Sequence, residues 1–500
     1  MFGSMADSVH VVLMPYPSVG HSAPFVHFAK HLARSGVAVS FIAPDAELAI
    51  FNDLLLGDAA FEARQNINVV PFAFPIHQEE MDPAYFFSIR DWMQSNADKF
   101  HEILARLMSE EPRTVCYPGD AAAGFPVCII SDMFLGFTQE LADKLSIPRY
   151  CLYSSPAHFL SFTFHMPQFD SEGRLPATSW EDKPFLIPNF PSILPAHLPP
   201  FQLTVSNAVN SFFVEESKPL WRAAGVIVNT VYELESPVID GLRAYLAENS
   251  PNKEVPTIVT MGPVMGELWE GGSTSTFRER LNATPKREAC FDWLDQQAES
   301  SVLYICFGSI VMPSDAQVHE LAVGLESSMQ PFLWVLRILE AGKTLSQVLP
   351  EGFLERTKSR GFVYTSWAPQ LHILAHRAVG GFLSHCGWNS AVEGMIMGVP
   401  MIAMPVMGDQ MLNATLIVKV LGVGIRVNEI GVWYETVGKE IIEKAVRTLM
   451  TGADGEAMRR KAAQVSVTIQ KSVRPGGSSY ENLALFLRHL KSLKSTGLQR

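Results

Sequence analysis

The sequence predicts an α/β fold of two Rossmann-like, doubly wound parallel-sheet domains. Three observations predict it. Short apolar, β-branched runs alternate with segments of helical period from Val9 onward. A stretch rich in Gly, Ser, Thr and charge, from Met261 to Glu288, breaks that alternation and reads as a linker. A second alternation then begins at Ser301. A chain of 500 residues suits this division, since length alone suggests two to four domains.

The elements follow in order. Val9 to Met14 reads as a strand, Pro15 to Gly20 as a loop, Pro24 to Arg34 as a helix and Val37 to Ile42 as a second strand. Val127 to Ser131 is a buried strand, followed by Asp132 and a helix through Lys144. Gly225 to Thr230 is a further strand. Ile187 to Pro200 carries too many prolines for a strand or helix and reads as a loop. In the second series, Ser301 to Ser309 opens with a strand and Gln317 to Ser328 is a helix. The resulting expectation is a first domain over 6–262, a linker over 263–288, a second domain over 289–477 and a last helix over 478–495.

Composition narrows the function. The hydrophobic fraction is 47% and the net charge −12, with a pI near 5.6. A phosphate backbone needs basic stripes, so no nucleic-acid partner is expected. Negative charge also opposes anionic membrane surfaces, and no apolar run is long enough to span a bilayer. The six cysteines are scattered without CxxC spacing, which disfavours zinc or thioredoxin-like chemistry and suits a reducing cytosol. Cys128 and Cys306 fall in strand-like runs and read as buried thiols. Two N-x-T sequons, at Asn282 and Asn413, carry no meaning in the cytosol.

The stretch from Trp367 to Gln410 carries the chemistry. Phe362 to Ser366 reads as a strand, with Trp367 at its end, where ligands of open α/β sheets bind. A flat indole there can stack on uracil. Gly380 to Ser384 starts another strand, Cys386-Gly387 is a break, and Trp388 to Met397 has helical spacing. A helix starting near Gly387 offers unpaired N–H groups and a positive dipole end to a pyrophosphate. His385, Asn389 and Ser390 surround that start as further donors. Glu393, one turn beyond Asn389, can accept from both ribose hydroxyls. Pro400 to Val406 reads as a third strand, with Asp409-Gln410 at its end before a helical run from Met411 to Val420. Singly, each residue has an ordinary structural explanation. Their order and spacing together make a nucleotide-sugar site.

This stretch resembles the donor-binding signature of plant UDP-dependent (family 1) glycosyltransferases. The resemblance extends over Gly20-His21, Gly225 to Glu235, Phe291 to Ser309, Phe332 to Arg337 and Gly476 to Phe486. It implies the GT-B architecture, two such domains facing a cleft, with the last helix crossing back onto the first domain. It implies a donor site of Ser309, Trp367, Ala368, Gln370, His385, Gly387, Trp388, Asn389, Ser390, Glu393, Asp409 and Gln410. Ser309 would approach the diphosphate, and Asp409 and Gln410 the sugar hydroxyls. Gln at the last position usually accompanies glucose.

The resemblance also implies that His21 is the general base and Asp132 its orienting partner. Local sequence alone favours a capping or core role for His21 and an N-cap role for Asp132. The family commonly has Gln and Asn where this chain has Val19 and Ala23, which changes the polar support of that loop. Displacement of UDP from a sugar C1 requires loss of the acceptor proton, stabilisation of the diphosphate and orientation of the sugar. No DxD-type carboxylate pair in a convincing context is found, so no metal or other cofactor is expected. The expected activity is inverting hexosyl transfer from UDP-glucose to a small apolar acceptor, a flavonoid or other phenol, by a cytoplasmic monomer of plant secondary metabolism. Tyr16, Phe86, Phe87, Phe134, Phe137, His158, Phe201 and Met407 are candidates for an acceptor pocket. Other UDP-sugars and terpenoid or hormone acceptors fit the same reading. A Rossmann oxidoreductase lacks its GxGxxG here. An epimerase or phosphorylase lacks a place for the Trp-first signature, and an idle binding protein has no use for His21 and Asp132.

Overall fold

The computed structural model describes residues 9–44, 66–72, 95–107, 125–177, 183–198, 207–250, 254–269, 277–278, 281, 288–309, 312–337, 344–428 and 436–497. The chain forms two compact units: 1–175 with 206–270 and 472–500, and 176–205 with 271–471. The second unit therefore includes 176–205, where the sequence reading carries the first domain unbroken from 6 to 262.

The first unit holds a seven-stranded sheet, ordered β3-β2-β1-β4-β5-β6-β7, with every pairing parallel. Its strands are β1 (His10–Met14), β2 (Ala38–Pro44), β3 (Ile67–Phe72), β4 (Pro126–Ser131), β5 (Arg149–Tyr153), β6 (Gly225–Val228) and β7 (Thr257–Thr260). Strands covered on both faces read as unbroken apolar runs, and β1 and β5 are buried at every position. Val11, Leu13, Phe25, Phe41 and Ile130 share one core. The last helix, Ser478–Gly497, adds Phe486 and Leu490 to it. Polar bonds fix that helix as well: Ser479 Oγ donates to the Gly262 carbonyl at 2.6 Å and Asn482 Nδ2 to the Thr260 carbonyl at 2.8 Å.

The second unit holds a six-stranded sheet, ordered β10-β9-β8-β11-β12-β13, again with parallel pairings throughout. Its strands are β8 (Val302–Cys306), β9 (Phe332–Val335), β10 (Gly361–Tyr364), β11 (Val379–Ser384), β12 (Met401–Ala403) and β13 (Gly424–Arg426). Leu303, Ile305, Trp334, Leu383 and Ile402 meet Leu325 and Val446 from the helices in one core. Both units are thus doubly wound, and in each the strand order reverses once. The reversal falls between β1 and β4 in the first unit and between β8 and β11 in the second. Crevices at such switch points, outside the carboxyl ends of the strands, are where open α/β sheets bind ligands.

Several element bounds differ from the sequence reading. The first helix is Val19–Arg34, with Pro24 inside it, so the proline does not mark its start. After β4 the helix is only Thr138–Lys144. The intervening turn closes on Asp132, whose Oδ1 accepts from the Phe134 N–H at 3.0 Å. Asp132 is thus no cap of that helix, which begins after Phe137. The expected strand over 400–406 shrinks to Met401–Ala403. The run from 411 to 420 is an α-helix, Gln410–Thr415, passing into a π-helical turn, Leu416–Val420. The proline-rich stretch holds an antiparallel bridge between Phe185 and Ile193 and a 3₁₀ turn, Pro195–His197. Cys306 is only half-buried, whereas Cys128 is fully buried.

Candidate active site

In the first unit, β1 and β4 end side by side, and a candidate side chain follows each. The loop after β1 is short. Ser18, extended at φ −148°, caps the helix, and its carbonyl accepts the His21 N–H at 2.9 Å. His21 therefore sits in the first helical turn, over the end of the sheet. Asp132 follows β4 directly, its N–H bonded to the Met14 carbonyl at 3.0 Å. The His21 Nδ1 and Asp132 Oδ2 atoms lie 2.8 Å apart. Asp132 is fully buried and His21 is 23% exposed. A carboxylate accepting from Nδ1–H fixes the tautomer and leaves the lone pair on Nε2, the arrangement of a general base.

Three residues that the sequence did not single out support this pair. Ser154, just past β5, places Oγ 3.3 Å from His21 Nδ1. Arg149, fully buried, donates from Nε to Ser131 Oγ and Thr138 Oγ1, both at 2.8 Å, and from Nη2 to the Asp132 carbonyl at 3.2 Å. Glu216 Oε2 accepts from the Gly136 N–H in the same turn at 3.0 Å. The available signal was positional: Ser154 ends a strand parallel to β1 and β4, so it lies on the same side of the sheet.

Aromatic rings surround His21. Tyr16 and Phe134 lie 5.5 and 5.2 Å from the His21 ring, and Phe212 and Phe213 continue the cluster at 5.8 and 5.5 Å from Phe134. Phe212 and Phe213 are absent from the sequence candidates. Phe137 instead packs on Phe100 at 5.3 Å. His158 is buried, with Nδ1 2.6 Å from Glu235 Oε1. Met407 belongs to the second unit. Phe86, Phe87 and Phe201 lie outside the described residues.

In the second unit, the strand ends around the switch point carry the donor candidates. Trp367 follows β10 and is 70% exposed, so its indole is not a core group. Gln370 begins the helix Gln370–Ala375 and gathers three partners. Its Nε2 donates to Ser390 Oγ at 2.9 Å and Glu393 Oε2 at 2.7 Å, and its Oε1 accepts from the buried Tyr304 hydroxyl at 3.3 Å. Ala368 accepts the Gln370 N–H at 2.8 Å, closing the turn between Trp367 and that helix.

Cys386 takes a left-handed conformation, φ 64°, and Gly387 then caps the helix Trp388–Ile396. Trp388 is buried and Asn389 half-buried at its first turn. His385 lies between two glycines: a Cβ on Gly308 would meet its Nε2 at 2.6 Å and one on Gly387 at 2.4 Å. Any larger residue at either place would displace the ring. Burial first, then the charge of Arg337, lowers the His385 pKa to about 4 against a hydrogen bond with the Cys306 backbone. The ring is therefore neutral at pH 7. Its Nδ1 is buried with no hydrogen-bond partner, a polar atom that fits a polar ligand at this helix start.

Asp409 and Gln410 follow β12. Asn413 Nδ2 donates to Asp409 Oδ2 at 3.0 Å and to the Cys386 carbonyl at 2.9 Å, tying the two turns together. The Asn413 sequon is thus a buried bridge. Gln410 Oε1 accepts from the Val406 and Met407 N–H groups, both at 2.9 Å, so its amide NH₂ is what it can offer a sugar. Ser309 lies in the turn after β8, and its carbonyl accepts from Arg337 Nη2 at 2.5 Å. Among the described residues, no group of three His, Cys, Asp or Glu side chains is placed to hold a metal ion, and no helix is long and apolar enough to cross a membrane.

Residues 277–462 match the family model described as UDP-glucoronosyl and UDP-glucosyl transferase. The chain is 32% identical over 507 residues to UDP-glycosyltransferase 73C3 of Arabidopsis thaliana, covering 97% of each. It is similar to the Phytolacca americana UGT2 structure complexed with UDP-2fluoro-glucose and pterostilbene: TM-score 0.77, 27% identity, 98% of this chain and 100% of that one. It is also similar to a UDP-glucosyltransferase from Polygonum tinctorium capable of glucosylating indoxyl: TM-score 0.79, 27% identity, 98% and 99% coverage.

Proposed function

The chain belongs to the UDP-glycosyltransferase family, and on that premise we propose that it transfers glucose from UDP-glucose, with inversion, to a hydroxyl of a small phenolic acceptor. The observation that carries this reading is the His21–Asp132 pair, 2.8 Å apart at the switch point of the first sheet. An acceptor hydroxyl attacks C1 as its proton departs. His21 Nε2 takes that proton, and Asp132, bonded at Nδ1, stabilises the imidazolium that forms. Tyr16, Phe134, Phe212 and Phe213 supply flat apolar surface suited to an aromatic acceptor. The bound pterostilbene of the Phytolacca enzyme supports a phenol.

The second unit holds the donor. Trp367 stacks on uracil, and Glu393, oriented by Gln370, accepts from the ribose. The start of the 388–396 helix, with His385, Asn389 and Ser390, binds the diphosphate. Asp409 and the Gln410 amide hold the sugar. No metal takes part in this reading, because the helix terminus and neutral donors carry the phosphate charge.

Initial rates with UDP-glucose, UDP-galactose, UDP-xylose and UDP-glucuronate against a phenol panel test the proposal. The highest kcat/KM is expected with UDP-glucose, the product is expected to be the β-anomer, and excess EDTA is expected to leave the rate unchanged. A higher kcat/KM with another donor overturns the glucose assignment. An α-product overturns inversion, and loss in EDTA reversed by magnesium or manganese overturns the metal-free site.

A further inference from the structure

β9 lies beside β8, and Arg337 follows it by two residues. Its Nη2 donates to the Ser309 carbonyl at 2.5 Å. That carbonyl lies in the turn after β8, next to Gly308, where φ is 77°. Gly308 lies directly against the His385 ring, with no room for a Cβ between them. Arg337, the Gly308–Ser309 turn and His385 therefore form one assembly beside the start of the 388–396 helix. Burial is the main influence on the pKa of both His385 and Cys306, and the nearby charge of Arg337 acts on both to lower it.

This assembly has a chemical consequence for a diphosphate site built from a helix start and neutral side chains. When the bond from sugar C1 to the β-phosphate oxygen breaks, its electron pair stays on that oxygen. UDP leaves with one more negative charge than it carried in the donor. A helix start offers roughly half an elementary charge, and a neutral His385 offers none. We propose that Arg337 supplies the positive charge that holds the diphosphate and stabilises it as it departs, acting from its bond to the Ser309 carbonyl. This rests on the donor-site reading of the second unit.

Calorimetry of UDP and of uridine with the wild type, Arg337→Gln, Arg337→Lys and Trp367→Ala tests it, at several salt concentrations. Arg337→Gln is expected to weaken UDP by about 10–100-fold, the scale of a charge-assisted hydrogen bond, and to leave uridine within about twofold. Arg337→Lys keeps the charge and is expected to retain most of the UDP affinity. The fall of UDP affinity with salt should be shallower in Arg337→Gln than in the wild type. Uridine binding also reports that each Arg337 variant is folded, and a melting curve does so for Trp367→Ala. Unchanged UDP affinity in Arg337→Gln overturns the proposal. Equal losses in Gln and Lys, with the wild-type salt dependence, also overturn it and reduce Arg337 to a brace for the turn. If Trp367→Ala leaves uridine affinity unchanged, the donor-site reading itself fails, a result distinct from either.

Discussion

Trp367 illustrates how a residue's role follows from exposure. An indole 70% exposed contributes little to the core and leaves a face open for the stacking proposed above. Base–aromatic stacking is worth roughly 1–3 kcal/mol. Trp367→Ala should therefore raise the Kd for UDP by about 5–150-fold, with the thermal midpoint nearly unchanged, since exposed substitutions move stability little. Calorimetry with UDP and a melting curve check both. Unchanged affinity makes the indole a bystander. Trp367 could be singled out in the sequence because the signature around it is contiguous. For Ser154 the one signal was its place just past a parallel strand, and Arg149 had none, because its partners lie 11 to 18 positions away and only the fold brings them together. Gln410 stands out in the sequence as a candidate, but the engagement of its Oε1 with the Val406 and Met407 N–H groups does not. A backbone turn leaves no residue pattern that reveals it.

At the scale of elements, the two helices that open the proposed donor site are held at their far ends by one side chain. Arg278 Nε donates to the Ala375 carbonyl at 2.8 Å and Nη2 to the His376 carbonyl at 2.9 Å, past the end of the Gln370–Ala375 helix. Nη1 reaches the Met397 carbonyl, past the end of the Trp388–Ile396 helix, at 3.5 Å. A cation at both carboxyl ends satisfies orphan carbonyls and complements both dipoles. Arg278→Ala should lower stability by about 1–3 kcal/mol and also weaken UDP, because Gln370 and Trp388 start those same helices. Urea unfolding and UDP calorimetry test it, and an unchanged urea midpoint refutes the clamp. The sequence read Arg278 only as part of a polar linker. The alternation of strands and helices was legible because buried parallel strands must be apolar. The bounds were less so: Pro24 sits inside its helix, and the Phe134 N–H bond to Asp132 delays the next helix to Thr138.

At the scale of the whole molecule, buried histidines make stability depend on pH, three of them strongly shifted. Burial is the main cause of the low pKa in each: about 3 for His31, about 4 for His197 and about 4 for His385, against 6.5 for the free side chain. Folded, they stay neutral; unfolded, they take up protons below pH 6.5. The unfolded state binds more protons in that window, so stability falls as pH drops from about 6.5 toward 4 and does not change on this account above it. The urea midpoint should be lower at pH 5 than at pH 7.5, by an amount that shrinks in His31→Phe. Equal midpoints contradict this.

The two sheets also share one plan, since each reverses its strand order once and gathers polar side chains at that reversal. In the first sheet this unites His21 with Asp132, residues 111 positions apart. The account turns on what that histidine does. The most direct measurement is kcat for wild type and His21→Ala over acceptors that are neutral or already ionised at the assay pH, such as an acidic nitrophenol or a thiophenol. A positioned base contributes roughly 10²–10⁴-fold. The account predicts a loss of that size for neutral hydroxyls, a much smaller loss for ionised acceptors, and wild-type affinity for UDP. Equal slowing of neutral and ionised acceptors, in a folded variant, would contradict it and leave His21 a group that positions substrate.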